Sequence, residues 1–334
     1  YIRNPIQFYF QRVLRISETD EVEENIALVV STSGSTGNAK SVLISSAALI
    51  ASTNACHKYL GAVPGDSWSL LLPTTHIAGL NVLIRATALG TRVIDNRNTT
   101  NYVDADFISI VPTQLQKALS GDDRLLEHLT AAEAVLVGAS ALSDKLKKEA
   151  ANKHIKIIST YGMTEMSGGC VYNQKPLDGV EIKVNGEGLI QLTGPMMATG
   201  YLDENGKKLE ISDSGWFESN DLGEFVNGSL KVLGRADDVI NSGGVKISLS
   251  DVEAQINKII PTAEIITFSL PDDKWGQMLC LASTTAVDLT KIKEALGPVL
   301  TPKSKFVFQS IPRTTLGKPD RIMAAEIAKN MVTK

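Results

Sequence analysis

Cysteine is scarce in this 334-residue chain: Cys56, Cys170 and Cys280 are odd in number and far apart. That excludes a disulfide framework and fits a reducing compartment, so a cytoplasmic location is expected. Histidine is scarce too. His57, His76, His128 and His154 keep no metal-ligand spacing with the cysteines, which argues against a zinc centre. No apolar run approaches the roughly 20 residues of a membrane span. Charge of neither sign dominates: 33 Lys and Arg against 37 Asp and Glu leave −4. Neither nucleic acid nor an anionic membrane is implied as a partner. Repeats and low-complexity stretches are missing. Tyr1 is not a natural start and no signal peptide precedes the first strand, so the first residues of the protein are expected to be absent here.

What remains is an ordinary globular composition, 43% hydrophobic and 21% charged. The length exceeds the usual size of one core, so two domains are expected. Strand-like runs alternate with amphipathic stretches through the first half. Strands are read at Ile26–Val30, Trp68–Leu72, Phe107–Val111, Ala134–Val137 and Ile155–Thr160. Helices are read at Ser45–Leu60, Ala78–Leu89 and Ser143–Lys153. This is the βαβ rhythm of a mostly parallel sheet under helices. From Val180 to Val232, short alternating runs broken by Asn-Gly turns indicate antiparallel strands. A small α+β unit follows Gly234, with Ser250 and Glu253 spaced as a capping box for a helix to Ile260. Strands near Glu264–Leu270 and Met278–Thr284 and a helix from Leu289 complete it. The fold class is α/β: a large N-terminal domain, 1–234, of mostly parallel sheets covered by helices with a small antiparallel β region, and a small α+β C-terminal domain, 235–334.

The segment Ser31-Thr-Ser-Gly-Ser-Thr-Gly-Asn-Ala-Lys40 lies between the first strand and the first helix. Glycines let a backbone approach phosphate oxygens, hydroxyls donate to them, and lysine supplies positive charge. The Walker spacing is not met, because Ala39 stands five positions after Gly34 where a glycine is required. A serine hydrolase is set aside as well: Gly138-Ala139-Ser140-Ala141-Leu142 lacks the second glycine of a nucleophile elbow.

This segment resembles the phosphate-binding loop of the adenylate-forming enzymes: acyl-CoA synthetases, luciferases and peptide-synthetase adenylation domains. Four further segments resemble that family, in its order. They are Tyr161-Gly162-Met163-Thr164-Glu165, Asn220-Asp221-Leu222-Gly223, Gly234-Arg235-Ala236-Asp237-Asp238 and Pro312 through Lys318. The resemblance implies ATP, Mg²⁺ and coenzyme A, and a small-molecule carboxylic acid as substrate. It gives Ser33, Gly34, Ser35, Thr36, Gly37 and Lys40 to the β- and γ-phosphates. Glu165 would ligate Mg²⁺ and Thr164 would donate to the α-phosphate. Gly138, Ala139 and Ser140 would line the adenine slot, with Tyr161, followed by Gly162, stacking on the base. Asp221 and Arg235 would hold the ribose. Lys318 would be the adenylation lysine on a mobile C-terminal domain, and Asp237 the hinge pivot. Gly243 and Gly244 would flank the pantetheine arm. Val245, where many relatives carry Glu, departs from the pattern and puts that position's contacts in doubt. A homodimer is compatible with the family.

His76, between a strand and Ala78-Gly79, stands where it could meet the acyl carboxylate. Only about thirty residues precede the phosphate loop. With His76 to Leu80, Val111 to Leu115 and Ser167 to Tyr172, this compact form is similar to the o-succinylbenzoate–CoA ligases of bacterial menaquinone biosynthesis. That implies an aromatic dicarboxylate, with Ser167, Gly168, Gly169 and Thr113 around it. Gln114 and Arg85 are further candidates for the second charge, although Arg85 could equally snorkel from its helix. Another aryl- or acyl-CoA ligase, or a free-standing adenylation domain that loads a carrier protein, shares the same adenylation residues.

Overall fold

A computed structural model describes residues 14–15, 25–32, 40–140, 142–203, 207–212, 214–261, 263–313 and 319–332. The chain divides into two compact units, residues 1–219 with 224–231, and residues 220–223 with 232–334.

The first unit opens with strands β1 (Leu14–Arg15), β2 (Ile26–Thr32) and β3 (Lys40–Ser45). β2 and β3 pair antiparallel, with Thr32 opposite Lys40. The glycine- and serine-rich segment therefore joins two strands, not a strand to a helix as the sequence suggested. The reason lies in Val42-Leu43-Ile44, whose side chains are buried on both faces of the sheet and favour extended backbone. Helix α1 (Ser46–Leu60) starts only after them, with the Ser45 hydroxyl accepting from the Ala48 amide at 3.2 Å.

A seven-stranded sheet follows. Strands β4 (Trp68–Leu70), β5 (Ile94–Asp95), β6 (Phe107–Ile110), β7 (Ala134–Val137) and β8 (Ile157–Met163) are mutually parallel. β9 (Gly168–Tyr172) and β10 (Lys175–Pro176) extend it antiparallel, giving the order β10-β9-β8-β7-β6-β4-β5. Helices α2 (Ile77–Ala88), α3 (Pro112–Leu119), α4 (Asp123–Ala131) and α5 (Asp144–Asn152) alternate with the strands. Successive strand side chains face opposite ways. Phe107 and Leu136 join Trp68 and Tyr172 in one core. Ile108, Ile110 and Val135 join Leu115 and Leu129 in another. Burial on both faces explains why these strands read as unbroken apolar runs.

The antiparallel region expected after Val180 is present. β11 (Glu181–Val184) and β12 (Leu189–Thr193) form a hairpin around Asn185, whose side-chain oxygen accepts from the Glu187 and Leu189 amides at 2.9 Å. β13 (Gly200–Leu202) and β14 (Lys208–Glu210) join the sheet of β1, β2 and β3. β15 (Phe217–Val226) and β16 (Ser229–Arg235) extend the β11–β12 pair.

In the second unit, β17 (Val239–Ser242), β18 (Val245–Ser248), β19 (Ile265–Asp272) and β20 (Gly276–Ser283) form a sheet in the order β18-β17-β20-β19. β21 (Ser304–Val307) pairs parallel to β20. Helices α6 (Leu249–Ile259) and α7 (Leu289–Leu300, interrupted at Gly297) cover one core, with Ile256, Ile292 and Leu281. α8 (Arg321–Val332) covers another, with Ala324, Ala328 and Phe268. The capping box read at Ser250 and Glu253 is not formed. Ser248 caps α6, accepting from the Asp251 amide at 3.2 Å. Glu253 lies inside the helix and accepts instead from the Thr267 amide of β19 at 2.6 Å, because burial demands a partner for its carboxylate.

Candidate active site

Four parallel strands of the first unit lead into the residues that the sequence marks. His76 follows β4 as the N-cap of α2. Thr113 lies in the first turn of α3, directly after β6, and is exposed. Gly138, Ala139 and Ser140 follow β7. β8 carries Tyr161 and Gly162 and runs into Thr164 and Glu165. Parallel register puts the carboxyl ends of β4, β6, β7 and β8 along one edge of the sheet, where open α/β sheets bind ligands. Residues scattered from 76 to 169 in sequence are thus gathered by topology.

The connection from β8 to β9 is the tightest part of this edge. Thr164–Met166 forms one 3₁₀ turn. Ser167 then takes φ +55° and Gly168 φ +109°. The Ser167 hydroxyl donates to the Met196 carbonyl at 2.8 Å, and its own carbonyl accepts from Asn81 Nδ2 at 2.8 Å and from Ser52 Oγ at 3.3 Å. The Ser167 hydroxyl is thus committed to the core. What this turn presents is glycine backbone. A side chain at Gly168 would meet Asn81 Nδ2 at 2.3 Å, and one at Gly162 would meet the Gly168 carbonyl at 2.0 Å. Both positions require glycine for β8, β9 and α2 to approach this closely.

Glu165 is half-buried. Its Oε1 accepts from the Tyr201 hydroxyl at 3.1 Å, and its backbone carbonyl accepts from the Ala198 amide at 2.8 Å. Burial and the neighbouring Glu165 carboxylate both push the Tyr201 phenol well above its ordinary value, so it remains a donor. Among the described residues no cluster of three or more His, Cys, Asp or Glu could hold a metal. One carboxylate with substrate phosphate suffices for Mg²⁺, which keeps several waters, and Glu165 fits that role.

In the loop after β7, Ala139 adopts φ +69° and is exposed beside Ser140. A non-glycine residue in that region is uncommon and marks a turn held in place by its surroundings. Gly138 packs against Thr160, whose hydroxyl donates to the Val137 carbonyl at 3.3 Å. Tyr161 packs partly on the main core. In the second unit, Asp221 and Arg235 are paired, Nη1 to Oδ1 at 4.0 Å. The backbone of Asp237 lies in the 3₁₀ turn Ala236–Asp238. Ser33, Gly34, Ser35, Thr36, Gly37 and Lys318, with the side chains of Lys40 and Asp237, lie outside the described residues.

Two candidates for the second charge are resolved differently from each other. Gln114 accepts from the Val111 amide at 3.0 Å and donates to the Leu71 carbonyl at 3.1 Å. It ties the ends of β4 and β6 together through its oxygen and one of its two Nε2 hydrogens. Arg85 does not snorkel. It is only 4% exposed, lies over the Trp68 ring at 5.2 Å, and donates from Nη2 to the Tyr172 hydroxyl at 3.2 Å. Its Nε has no partner, and no carboxylate pairs with it among the described residues. Tyr172 in turn donates to Cys56 Sγ at 3.3 Å. Burial first, then Arg85, pulls the neighbouring His57 down to about 4. Cys170 on β9 is also buried, which pushes its thiol up to about 12.

Sequence reading missed Asn81, Tyr172 and Tyr201. Asn81 carried the clearest signal, a lone amide inside the apolar run Ile77–Ala88.

Residues 9–202 match the family described as AMP-binding enzyme. The chain belongs to the AMP-binding enzyme family. It is 34% identical to the probable 2-succinylbenzoate–CoA ligase of Mycobacterium tuberculosis (strain CDC 1551 / Oshkosh), over 92% of this chain and 85% of that one. It is 28% identical to the 2-succinylbenzoate–CoA ligase of Lactococcus lactis subsp. lactis (strain IL1403), over 90% and 70%. Among solved structures it is similar to o-succinylbenzoate CoA synthetase from Bacillus subtilis in complex with the acyl-adenylate intermediate OSB-AMP. That match has a TM-score of 0.78 at 26% identity and covers 90% of this chain and 69% of the other. The same synthetase with ATP and magnesium ion matches with a TM-score of 0.78 at 26% identity, over 92% and 72%. As a member of the AMP-binding family, the chain carries the motif Tyr161–Glu165 at the carboxyl end of β8 in the first unit, whereas Asn220–Gly223 and Gly234–Asp238 lie in the second. Among the described residues no helix is long and apolar enough to cross a membrane.

Proposed function

We propose that this AMP-binding enzyme is a 2-succinylbenzoate–CoA ligase. The observation that carries the reading is the β8–β9 turn: it holds Glu165 and the Gly168–Gly169 backbone within five residues of each other. An AMP-forming ligase must bring a carboxylate to a magnesium-bound α-phosphate, and one turn presenting both sides supports that.

The reaction has two steps. The succinyl carboxylate oxygen attacks the α-phosphorus of ATP, and pyrophosphate leaves. The thiol of coenzyme A then attacks the acyl carbon, and AMP leaves with the electron pair of the broken C–O bond. The first step gathers negative charge, so cations and donors dominate its rate. Lys40 and the loop 33–37 would hold the outer phosphates, Glu165 would hold Mg²⁺, and Thr164 would donate to the α-phosphate. Lys318 would bridge carboxylate and phosphate. Gly138 to Ser140 and Tyr161 would hold adenine, and Asp221 and Arg235 the ribose. Residues 1–234 would bind ATP and the acid, while residues 235–334 would bring Lys318 in by turning about Asp237.

The acid is specified by charge. A buried guanidinium without a carboxylate partner is costly, and a dicarboxylic substrate supplies the missing anion. His76 would face the reacting carboxylate. Arg85, two and a half turns along the same helix, would supply field for the second, with Gly168 and Gly169 leaving room for the ring and Thr113 at the rim.

Pyrophosphate release across a panel of acids tests this. o-Succinylbenzoate should be turned over well, and 4-phenyl-4-oxobutanoate, which lacks the ring carboxylate, at least ~10²-fold less efficiently, because an unpaired polar site discriminates strongly. Benzoate or a medium-chain fatty acid turned over at comparable efficiency would leave adenylation standing and remove this substrate.

A further inference from the structure

A buried ionic network in the second unit has no part in the chemistry above. Arg321, the first residue of α8, is three residues beyond Lys318. Its guanidinium pairs through Nε and Nη2 with Asp238, the latter at 3.3 Å, and through Nη1 with Glu253 Oε1 at 3.0 Å. Nη2 also lies 3.2 Å from Glu253 Oε2 and 3.0 Å from Ser250 Oγ. The three charged side chains are largely buried, 19% exposed for Arg321 and 14% for each carboxylate. Asp238 in addition accepts from the Ser250 amide at 3.2 Å and from its hydroxyl. Glu253 accepts from Thr267 of β19.

The stem of the segment that carries Lys318 is closed at its base. The Asp320 amide donates to the Pro312 carbonyl at 2.9 Å, and Arg313 and Pro319 form a β-bridge. Arg313 is paired with Glu264 on the entering side. On the leaving side Asp320 caps α8 through the Met323 amide at 3.0 Å, and Arg321 follows at once. The far end of the Arg321 network is Asp238, the residue after Asp237 and the last of the turn Ala236–Asp238. One guanidinium therefore bonds the base of the lysine segment to the pivot turn, eighty-three positions away in sequence.

We propose that Arg321 is a positioning residue for adenylation: through Asp238 and Glu253 it fixes the Lys318 segment to the pivot turn, so that the lysine arrives in register whenever the unit swings. The inference rests on the reading of Lys318 as the adenylation lysine and Asp237 as the pivot. Two carboxylates on one planar fork explain why the residue is arginine. A lysine supplies the charge but only a point of attachment, and cannot bridge both with fixed geometry. A misplacement of about 1 Å at a reacting group costs on the order of 10²-fold in rate.

Arg321→Lys, Asp238→Asn and Lys318→Ala are measured in both half-reactions: acyl-adenylate formation from ATP and acid, and thioester formation from supplied acyl-adenylate and coenzyme A. Arg321→Lys should lower the adenylation kcat at least ~10-fold, with KM for ATP and the thioester step each within about twofold. Asp238→Asn, which keeps the Arg321–Glu253 pair, should show the same split to a smaller degree and serves if Arg321→Lys fails to fold. In a Lys318→Ala background, Arg321→Lys should cause no further loss, because it acts through the lysine. Equal loss of both half-reactions, undiminished adenylation, or losses that multiply in the double variant would overturn the proposal. Lys318→Ala that leaves adenylation intact would instead overturn the reading on which it rests.

Discussion

Gly168→Ala should destabilise the first unit and weaken acid use together, and the structure sets the size of the effect. The residue sits at φ +109°, where an L side chain is strained by about 1–2 kcal/mol. The new Cβ would lie 2.3 Å from Asn81 Nδ2. Asn81 is buried, and its amide is committed to the Ser167 carbonyl at 2.8 Å. Moving it aside breaks that bond, worth about 1 kcal/mol, while Ser52 continues to satisfy the carbonyl. The sum is about 2–3 kcal/mol, a fall in melting temperature of roughly 5–10 °C for a unit of this size. A thermal melt followed by far-ultraviolet circular dichroism measures it. Asn81→Ala alone should cost about 1 kcal/mol. The double variant should cost little more than Gly168→Ala, because both remove the same hydrogen bond. KM for the acid should rise in Gly168→Ala, with KM for ATP within about twofold. A melt unchanged within 2 °C, or strictly additive effects, would refute the argument that Gly168 is required by contact with Asn81.

Asp221→Ala should raise KM for ATP roughly tenfold, the scale of one or two hydrogen bonds to a carboxylate, and leave KM for the acid nearly unchanged; normal ATP binding by calorimetry would count against the ribose role. Stability should also fall in acid. Burial and Arg85 hold the folded-state His57 at about 4, below its ordinary 6.5. The unfolded chain therefore binds more protons between those values, and stability is lost as pH falls from about 6.5 toward 4 and is flat above. His57→Gln should make that acid slope shallower, with His128, lowered by burial as well, supplying the remainder. A slope identical to the parent in urea titrations at pH 5 and pH 7 would show that His57 does not carry it.

The parallel sheet was legible because its strands are buried on both faces and bounded by turn residues: Ala134–Val137 was read to the residue. β3 was not legible. Six residues, Lys40–Ser45, run directly into α1 without a glycine or proline between them, so nothing local separates strand from helix, and only pairing with β2 decides it. The misplaced capping box has a similar cause. Ser248 and Ser250 both suit an N-cap, and the choice is made by the distant Asp238 and Thr267, which engage Ser250 and Glu253. Motif spacing marked the turn between β8 and β9, but it could not show that Ser167 faces inward and Gln114 braces two strands. Those outcomes depend on Met196 and Leu71, residues that carry no chemistry of their own. Arg85 was ambiguous because helical position alone does not say whether a long side chain lies along the surface or in the core.

An acyl-adenylate is open to any nucleophile within reach, and a ligase that hands its acyl group to a thiol is most endangered by thiols of its own. Cys170 stands next to Gly169 in β9, beside the proposed acid pocket. It is buried, as are Cys56 and Cys280, and burial pushes Cys170 and Cys280 up to about 12. The thiolate, which is the reactive form, is therefore nearly absent at neutral pH. Packing the sulfurs into the core thus keeps the chain's own cysteines from competing for the acyl group with coenzyme A, which arrives from solvent with an ordinary thiol.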